Sequence, residues 1–421
     1  MNRRSVLLFG ASLFAITIDR SAAFAEDVTI NFLHAQGPTI YEAVIADFEK
    51  QNAGLKVREQ RVPFDQLNAQ VQARIGAKDT SIDVYAADEP RVPALADRGL
   101  LRDLSSLKDQ TIEATTAKAV EATSWNGKLY ALPEWTSTQL LFYNKDLLAK
   151  AGIEPPPADV KKRWTWTELL TRAKKAQAAG AKWGFSFEQV DRYYQLQPLF
   201  ESAGAGPGLK GDKLLTPDVI NDKWVATMKW YGDIYADGVA PRGIAPEQIP
   251  SLFVNGQLAF MVAGPWNFNA IEKAGLKFGI APHPYFEGGK PVTPTDSWAL
   301  GISPYTKHVE EAIKFASYIA VNSGGALESS VNNPLPTANK VAFDKNVAEQ
   351  VKAGGEATAH YGDILSYELA ITAVSRPRTI GYVIFEEVLN KAFSDVRNGA
   401  DAKTRLEQAQ KELQANFSRL R

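Results

Sequence analysis

The stretch from Val28 to Glu89 alternates two hydrophobic periods, and that alternation constrains the fold more than any other feature. Val28, Ile30 and Phe32 recur every second residue, as in a strand, and Ile40, Val44, Ile45 and Phe48 then fall at helical spacing. Lys56 to Val62 reads as a second strand, Leu67, Val71 and Ile75 as a second helical stripe, and Ile82 to Ala87 as a nearly all-apolar third strand. Strand–helix–strand–helix–strand order demands parallel strands joined by right-handed crossovers, so the fold class is α/β. Ligands of such sheets sit beyond the carboxyl ends of the strands. The residues there are His34 and Gln36, then Pro63 and Phe64, then Asp88 and Glu89. They form a polar, aromatic and acidic set at three successive strand ends.

Farther along, the chain is richer in helix. Trp166 to Ala179 follows Thr165 as a cap, and Lys223 to Ala236 carries Trp224, Met228 and Tyr231 on one side. Tyr382 to Leu420 reads as helical with one break at Asn398-Gly399. Pro155 to Pro157 and Gly204 to Gly211 read as loops, and no internal repeat or low-complexity tract stands out. The 421 residues suffice for one large core or two of domain size.

The amino end has a different character. Arg3 and Arg4 precede an apolar run from Val6 to Ile18, thirteen residues long, and Ala23-Phe24-Ala25 is a small-x-small cleavage site. That length suits a signal peptide and is too short for a membrane span, which takes roughly 20 residues. Residues 1–25 are therefore expected to be removed, giving a mature start at Glu26 and a periplasmic location. The Arg3-Arg4 pair leaves twin-arginine and general export both open. There is no cysteine, which excludes disulfides, thiolate metal sites and a lipid anchor at the cleavage site. The expectation is a free, soluble monomer.

Several function classes drop out on composition. Basic and acidic residues number 47 and 48, for a net charge of -1, with no block of like charge to attract nucleic acid or an anionic membrane. The four histidines, His34, His283, His308 and His360, lack metal-ligand spacing. There is no His-Glu-x-x-His, no Gly-x-Ser-x-Gly and no phosphate-cradling glycine loop ahead of a lysine. No catalytic residue, metal or cofactor is expected.

One set of segments points to a family. Trp125-Asn126-Gly127-Lys128-Leu129-Tyr130-Ala131-Leu132-Pro133 is followed by Leu140-Leu141-Phe142-Tyr143-Asn144-Lys145-Asp146-Leu147-Leu148 and by Ala151-Gly152-Ile153-Glu154-Pro155-Pro156. Ala259 to Trp266, Asp296 to Ile302, and Arg376-Pro377 come later in the same order. The chain thereby resembles family 1 extracellular solute-binding proteins, the maltose-binding-protein-like receptors of ABC importers. The resemblance runs over essentially the whole mature chain, and the Tyr-Asn-Lys-Asp segment is its most specific part.

The resemblance implies a two-lobed, type II-like periplasmic binding fold with a ligand cleft between discontinuous lobes. The first lobe takes residues 26–133 and 292–337, and the second takes 134–291 and 338–421. Hinge crossings fall near Pro133, Pro291 and Asn339. It also implies a partner, the membrane permease subunits, and a ligand, a small carbohydrate, polyol or glycoside.

A sugar asks for carboxylates and amides at its hydroxyls, arginine as a planar donor and an aromatic plate under the ring. Of the nine tryptophans, Trp164, Trp166, Trp224 and Trp230 read as packing residues. Trp266, after the Gly264-Pro265 turn, and Trp298 read as ligand-stacking residues against plain packing. Trp135, at a hinge crossing beside Glu134, fits either role. Asp88 reads as a hydroxyl-gripping acid rather than a solvated loop acid, and His34, Gln36 and Phe64 join it from the strand ends. Ser137 occupies a position that is acidic in maltose receptors of the family and serine in glycerol-phosphodiester receptors, which speaks against a maltose-type pocket. Arg376 is either a ligand contact or a brace for its loop. An anionic glycoside remains an alternative ligand, suggested by Thr136-Ser137-Thr138 and Arg376. Asp88 with Glu134 as a glycosidase carboxylate pair is the enzymatic alternative.

Overall fold

The computed structural model describes residues 27–420. The expected signal peptide, its cleavage site and the Glu26 start lie outside them. The opening alternation is realised closely. Strand β1 (Val28–His34), helix α1 (Glu42–Gln51), strand β2 (Leu55–Arg61), helix α2 (Leu67–Gly76) and strand β3 (Val84–Asp88) follow in order. β1 pairs in parallel with β2, Val28 opposite Leu55, and with β3, Phe32 opposite Val84. A strand from much later in the chain, Trp298–Ile302, lies antiparallel to β3 with Trp298 opposite Asp88, and Ala131–Pro133 closes this five-stranded sheet.

Side-chain alternation gives the sheet two apolar faces. Ile30, Phe32, Leu300 and Ile302 pack against Tyr41, Val44 and Phe48 at α1 and against Phe315 and Ile319 of the helix Val309–Ala320. Leu33, Tyr85 and Ala87 meet Leu67, Val71 and Ile75 of α2 on the other side. Both faces are covered, as a largely parallel sheet requires.

A second sheet has the strand order Phe278–Ala281, Leu140–Asn144, Leu258–Ala263, Trp183–Phe187. Its core is separate and takes in Phe142, Phe260, Trp166, Trp224, Tyr231 and Phe393. The helix Trp166–Ala178 starts with a capping box between Thr165 and Glu168, and Asn221 caps Asp222–Ala236. Trp164, Trp166 and Trp224 are buried in this core and Trp230 packs at its edge. The terminal pair runs Tyr382–Arg397 and Ala402–Phe417, with Gly399 at φ +111° in the break. The Gly204–Gly211 stretch is more ordered than a plain loop, since Leu209–Lys210 pairs with Thr216–Pro217.

Between the two sheets run the crossing segments. After Pro133 the chain passes through residues 134–139 into the second sheet. Trp135 bridges to Thr337, and Thr293–Pro294 pairs in parallel with Ala373–Val374. These short ladders tie the crossings to one another, and they place the strand ends of both sheets around one cleft.

Candidate functional site

A cavity of about 470 Å³ opens between the two sheets. The first contributes Gln36, Phe64, Asp88 and Trp298, all at or just past its strand ends, and the crossings contribute Ser137, Asp296, Ser297 and Arg376. The second contributes Gln189, Arg192, Tyr194, Trp266 and Asn269, and Asn332 and Asn333 close the rim.

Asp88 and Arg376 form the floor. Nη2 of Arg376 donates to Oδ1 of Asp88 at 2.6 Å and Nη1 to Oδ2 at 2.9 Å. Arg192 reaches the same Oδ2 at 3.4 Å. Behind them Arg91 donates to Glu386 at 2.7 Å, and Asp296 accepts the Arg376 backbone N–H at 2.7 Å. Three arginines thus face Asp88, Glu386 and Asp296 in a buried network. Burial alone pushes the Asp88 carboxyl up, but Arg376, Arg91 and Arg192 outweigh it and hold it below its ordinary value. Glu89 is raised by burial and by neighbouring Asp296. Asp296 is itself raised by burial against the pull of Arg376.

Aromatic rings form the walls. Arg192 lies over the Phe64 ring at 4.3 Å and Arg376 over Tyr194 at 4.9 Å. Phe64 meets Trp298 edge-on with ring centroids 5.8 Å apart. Trp266 is pinned through its indole N–H, which donates to Glu188 at 2.6 Å. Its ring folds over Gly264, where a side chain would overlap it. Residues 33–326 match the family model described as bacterial extracellular solute-binding protein. The chain belongs to that family.

Relatives agree with the assignment. A probable ABC transporter-binding protein of Deinococcus radiodurans is 28% identical over 397 residues, covering 89% of each chain. A galactooligosaccharide-binding protein of Bacillus subtilis is 28% identical over 319 residues, 73% of this chain and 72% of its own. Among solved structures, an ABC substrate-binding protein from Listeria monocytogenes in complex with cycloalternan superimposes with a TM-score of 0.79 at 24% identity. It covers 93% of this chain and 99% of that one. That likeness establishes the two-lobed fold.

In this solute-binding protein, seven of the ten sequence-predicted residues line the cavity: Gln36, Phe64, Asp88, Ser137, Trp266, Trp298 and Arg376. Three do not, and each for a physical reason. His34 is the last residue of β1 rather than a loop residue, and is fully buried. Its Nε2 lies 3.0 Å from Glu59, its Nδ1 accepts the Gln36 N–H, and its ring packs on Phe32 and Tyr41. Glu134 is fully buried, takes a hydrogen bond from the Tyr41 hydroxyl at 3.1 Å, and is raised by burial. Trp135 stacks on Tyr41 at 5.6 Å and faces away from the cleft. Along this crossing only Ser137 reaches the cavity. The Asp88–Glu134 carboxylate pair is therefore not assembled at one site.

The roles also differ in detail. Both Asp88 oxygens are occupied by Arg376, so the pair presents itself as a unit rather than as a free acid. The Ser137 hydroxyl donates to the Asp296 carbonyl at 2.6 Å and lies 2.9 Å from the Tyr194 hydroxyl. It ties a crossing to the wall. Sequence reasoning missed Gln189, Arg192 and Tyr194. They follow the strand Trp183–Phe187, where the same strand-end rule applied to the second sheet finds them. Asp296 stood inside the Asp-Ser-Trp segment without being singled out. Asn333, buried at the rim, keeps an amide nitrogen without a partner among the described residues. The arrangement offers amides, hydroxyls and arginine donors around aromatic faces, which suits holding a polyhydroxylated molecule.

Proposed function

We propose that this protein is an exported, periplasmic receptor that closes over a small sugar, polyol or glycoside and hands it unchanged to the membrane subunits of an ABC importer. The observation that carries the reading is the Arg376–Asp88 pair, set beneath Tyr194 and flanked by Trp266, Trp298 and Phe64. A planar donor array over a cleft of aromatic faces answers both the hydroxyls and the apolar ring faces of a sugar. Asp88, Glu386 and Asp296 stand against Arg91, Arg192 and Arg376, and this balance favours a neutral ligand over a phosphorylated one. The galactooligosaccharide-binding relative supports the same class. The lobes of this reading are residues 26–133 with 292–337, and 134–291 with 338–421, in a monomer without a lipid anchor.

A thermal-shift screen against neutral sugars, polyols and their phosphates tests it. The expected result is a rise in melting temperature with neutral sugars or polyols. Calorimetry on the hits should show binding with no product formed on chromatography. Stabilisation by phosphates alone, or turnover of a bound oligosaccharide, would overturn the reading.

A further inference from the structure

Neighbouring residues of the crossing segments face two different cavities. Ser137, Ser297, Leu335 and Arg376 line the cleft. Trp135, Thr295, Thr337 and Ser375, one or two residues away on the same segments, line a second cavity of about 610 Å³. Asp296 borders both. The crossings are thus a thin partition whose irregular backbone turns residues even two positions apart to opposite sides, and the second cavity lies on its far side.

That cavity has the size of a small-molecule site, roughly 300–1,000 Å³, and its walls come from both bodies. From the first, the short helix Ala117–Ala122 brings Lys118, Ala119 and Ala122. From the second, the helix Lys340–Gly354 brings Lys340 and Phe343, and the π-helical segment Glu368–Thr372 brings Leu369 and Ala370. Trp135 in its wall is 1% exposed, and its indole N–H has no partner among the described residues. A buried donor without an acceptor is costly, about 1–3 kcal/mol, and a ligand acceptor would relieve that cost. Lys118 and Lys340, one from each body, are exposed and make no ion pair or side-chain hydrogen bond among the described residues. Among the described residues Asp344 is the one exposed carboxylate on the rim. The floor carboxyls are already engaged, since Glu89 accepts the Ser297 N–H at 2.9 Å and Asp296 the Arg376 N–H at 2.7 Å.

We propose that this far-side cavity is a second ligand site, taking a small organic anion with an apolar body. Its acid group would sit between Lys118 and Lys340, and its body against Phe343, Leu369 and Ala119. The occupant would touch both bodies without entering the cleft.

The probe is 8-anilinonaphthalene-1-sulfonate, an anion whose fluorescence rises on entering an apolar site, titrated into the intact mature protein. Three variants accompany the wild type. The double Lys118→Glu, Lys340→Glu change reverses the rim charge, Ala370→Trp fills the cavity from an exposed position, and Trp266→Ala alters the cleft alone. The expected result is saturable binding of one dye, weakened at least about tenfold by the charge reversal and by Ala370→Trp. Trp266→Ala should leave it unchanged. Equal binding in wild type and both far-side variants would overturn the proposal, as would loss in Trp266→Ala, which places the dye in the cleft. Loss in Ala370→Trp but not on charge reversal would overturn the anionic class. Circular dichroism confirms folding of each variant. No sugar is used, so the outcome is independent of the cleft's ligand.

Discussion

Arg376 holds both oxygens of Asp88, at 2.6 and 2.9 Å, joining a crossing segment to the end of β3. Arg376 is 3% exposed and Asp88 4%. Removing one partner of a buried pair leaves the other charge uncompensated, at roughly 3–5 kcal/mol, whereas replacing both is often nearly neutral for stability. Asp88→Ala should therefore lose roughly 3–5 kcal/mol by urea unfolding. The Asp88→Leu, Arg376→Met double variant should recover most of that loss and still fail to bind the sugar. A double variant as unstable as the single one would show that the pair does not act as a unit.

The Trp266 ring lies over Gly264, and a Cβ there would overlap it. Gly264→Ala should displace the plate without touching the ligand, weakening binding by about tenfold while shifting tryptophan emission. Trp266→Ala should cost at least as much. Unchanged affinity in Gly264→Ala, with emission unchanged, would mean that the ring has another resting place.

Much of this was legible in the sequence because periodicity reports burial. The alternation of Val28, Ile30 and Phe32 against the helical spacing of Leu67, Val71 and Ile75 predicts the opening of the first sheet, which the structure bears out to within one or two residues. The strand-end rule likewise brings Gln36, Phe64 and Asp88 to the cavity. It fails at His34 because one more residue of β1 turns that ring into the sheet, where Glu59 and Tyr41 hold it. Side-chain direction along an irregular crossing has no periodic signature, so Glu134, Trp135 and Ser137 could not be sorted from one another. The partners of Asp88 were hidden for a different reason. Arg192 and Arg376 stand 104 and 288 positions away, and nothing local to β3 announces them.

Arg91, in the turn Glu89–Arg91 just past β3, donates to Glu386 of the helix Tyr382–Arg397 at 2.7 Å, and Arg192 meets Asp88 across the same gap. Both pairs link elements of the two cores, so they stabilise the angle between the sheets. Glu386→Gln should weaken that link by about 1–3 kcal/mol and shift the population toward open forms. Small-angle scattering of the unliganded variant should give a larger radius than wild type. An identical radius would assign these pairs to packing alone.

Glu188 offers a test in the pH dependence of stability. It is buried on the inner side of Trp266, and that burial pushes its carboxyl up to about 7. The Trp266 indole, Asn267 and the Gly264 N–H pull the other way without cancelling that rise, as does Arg192. In the unfolded chain a glutamate titrates near 4.3. Below that pH the group is protonated in both states and its stabilisation is fully present. As pH rises toward 7 the unfolded state releases its proton first, so stability falls, by on the order of 3 kcal/mol across the window. Above about 7 both states are ionised and the slope vanishes. Glu188→Gln removes the titration while keeping an acceptor for the Trp266 N–H. Urea unfolding at pH 5, 6, 7 and 8 should therefore show wild type losing stability relative to the variant up to about pH 7, then running parallel to it. Curves parallel over the whole range would show that Glu188 is already ionised in the folded protein at pH 5.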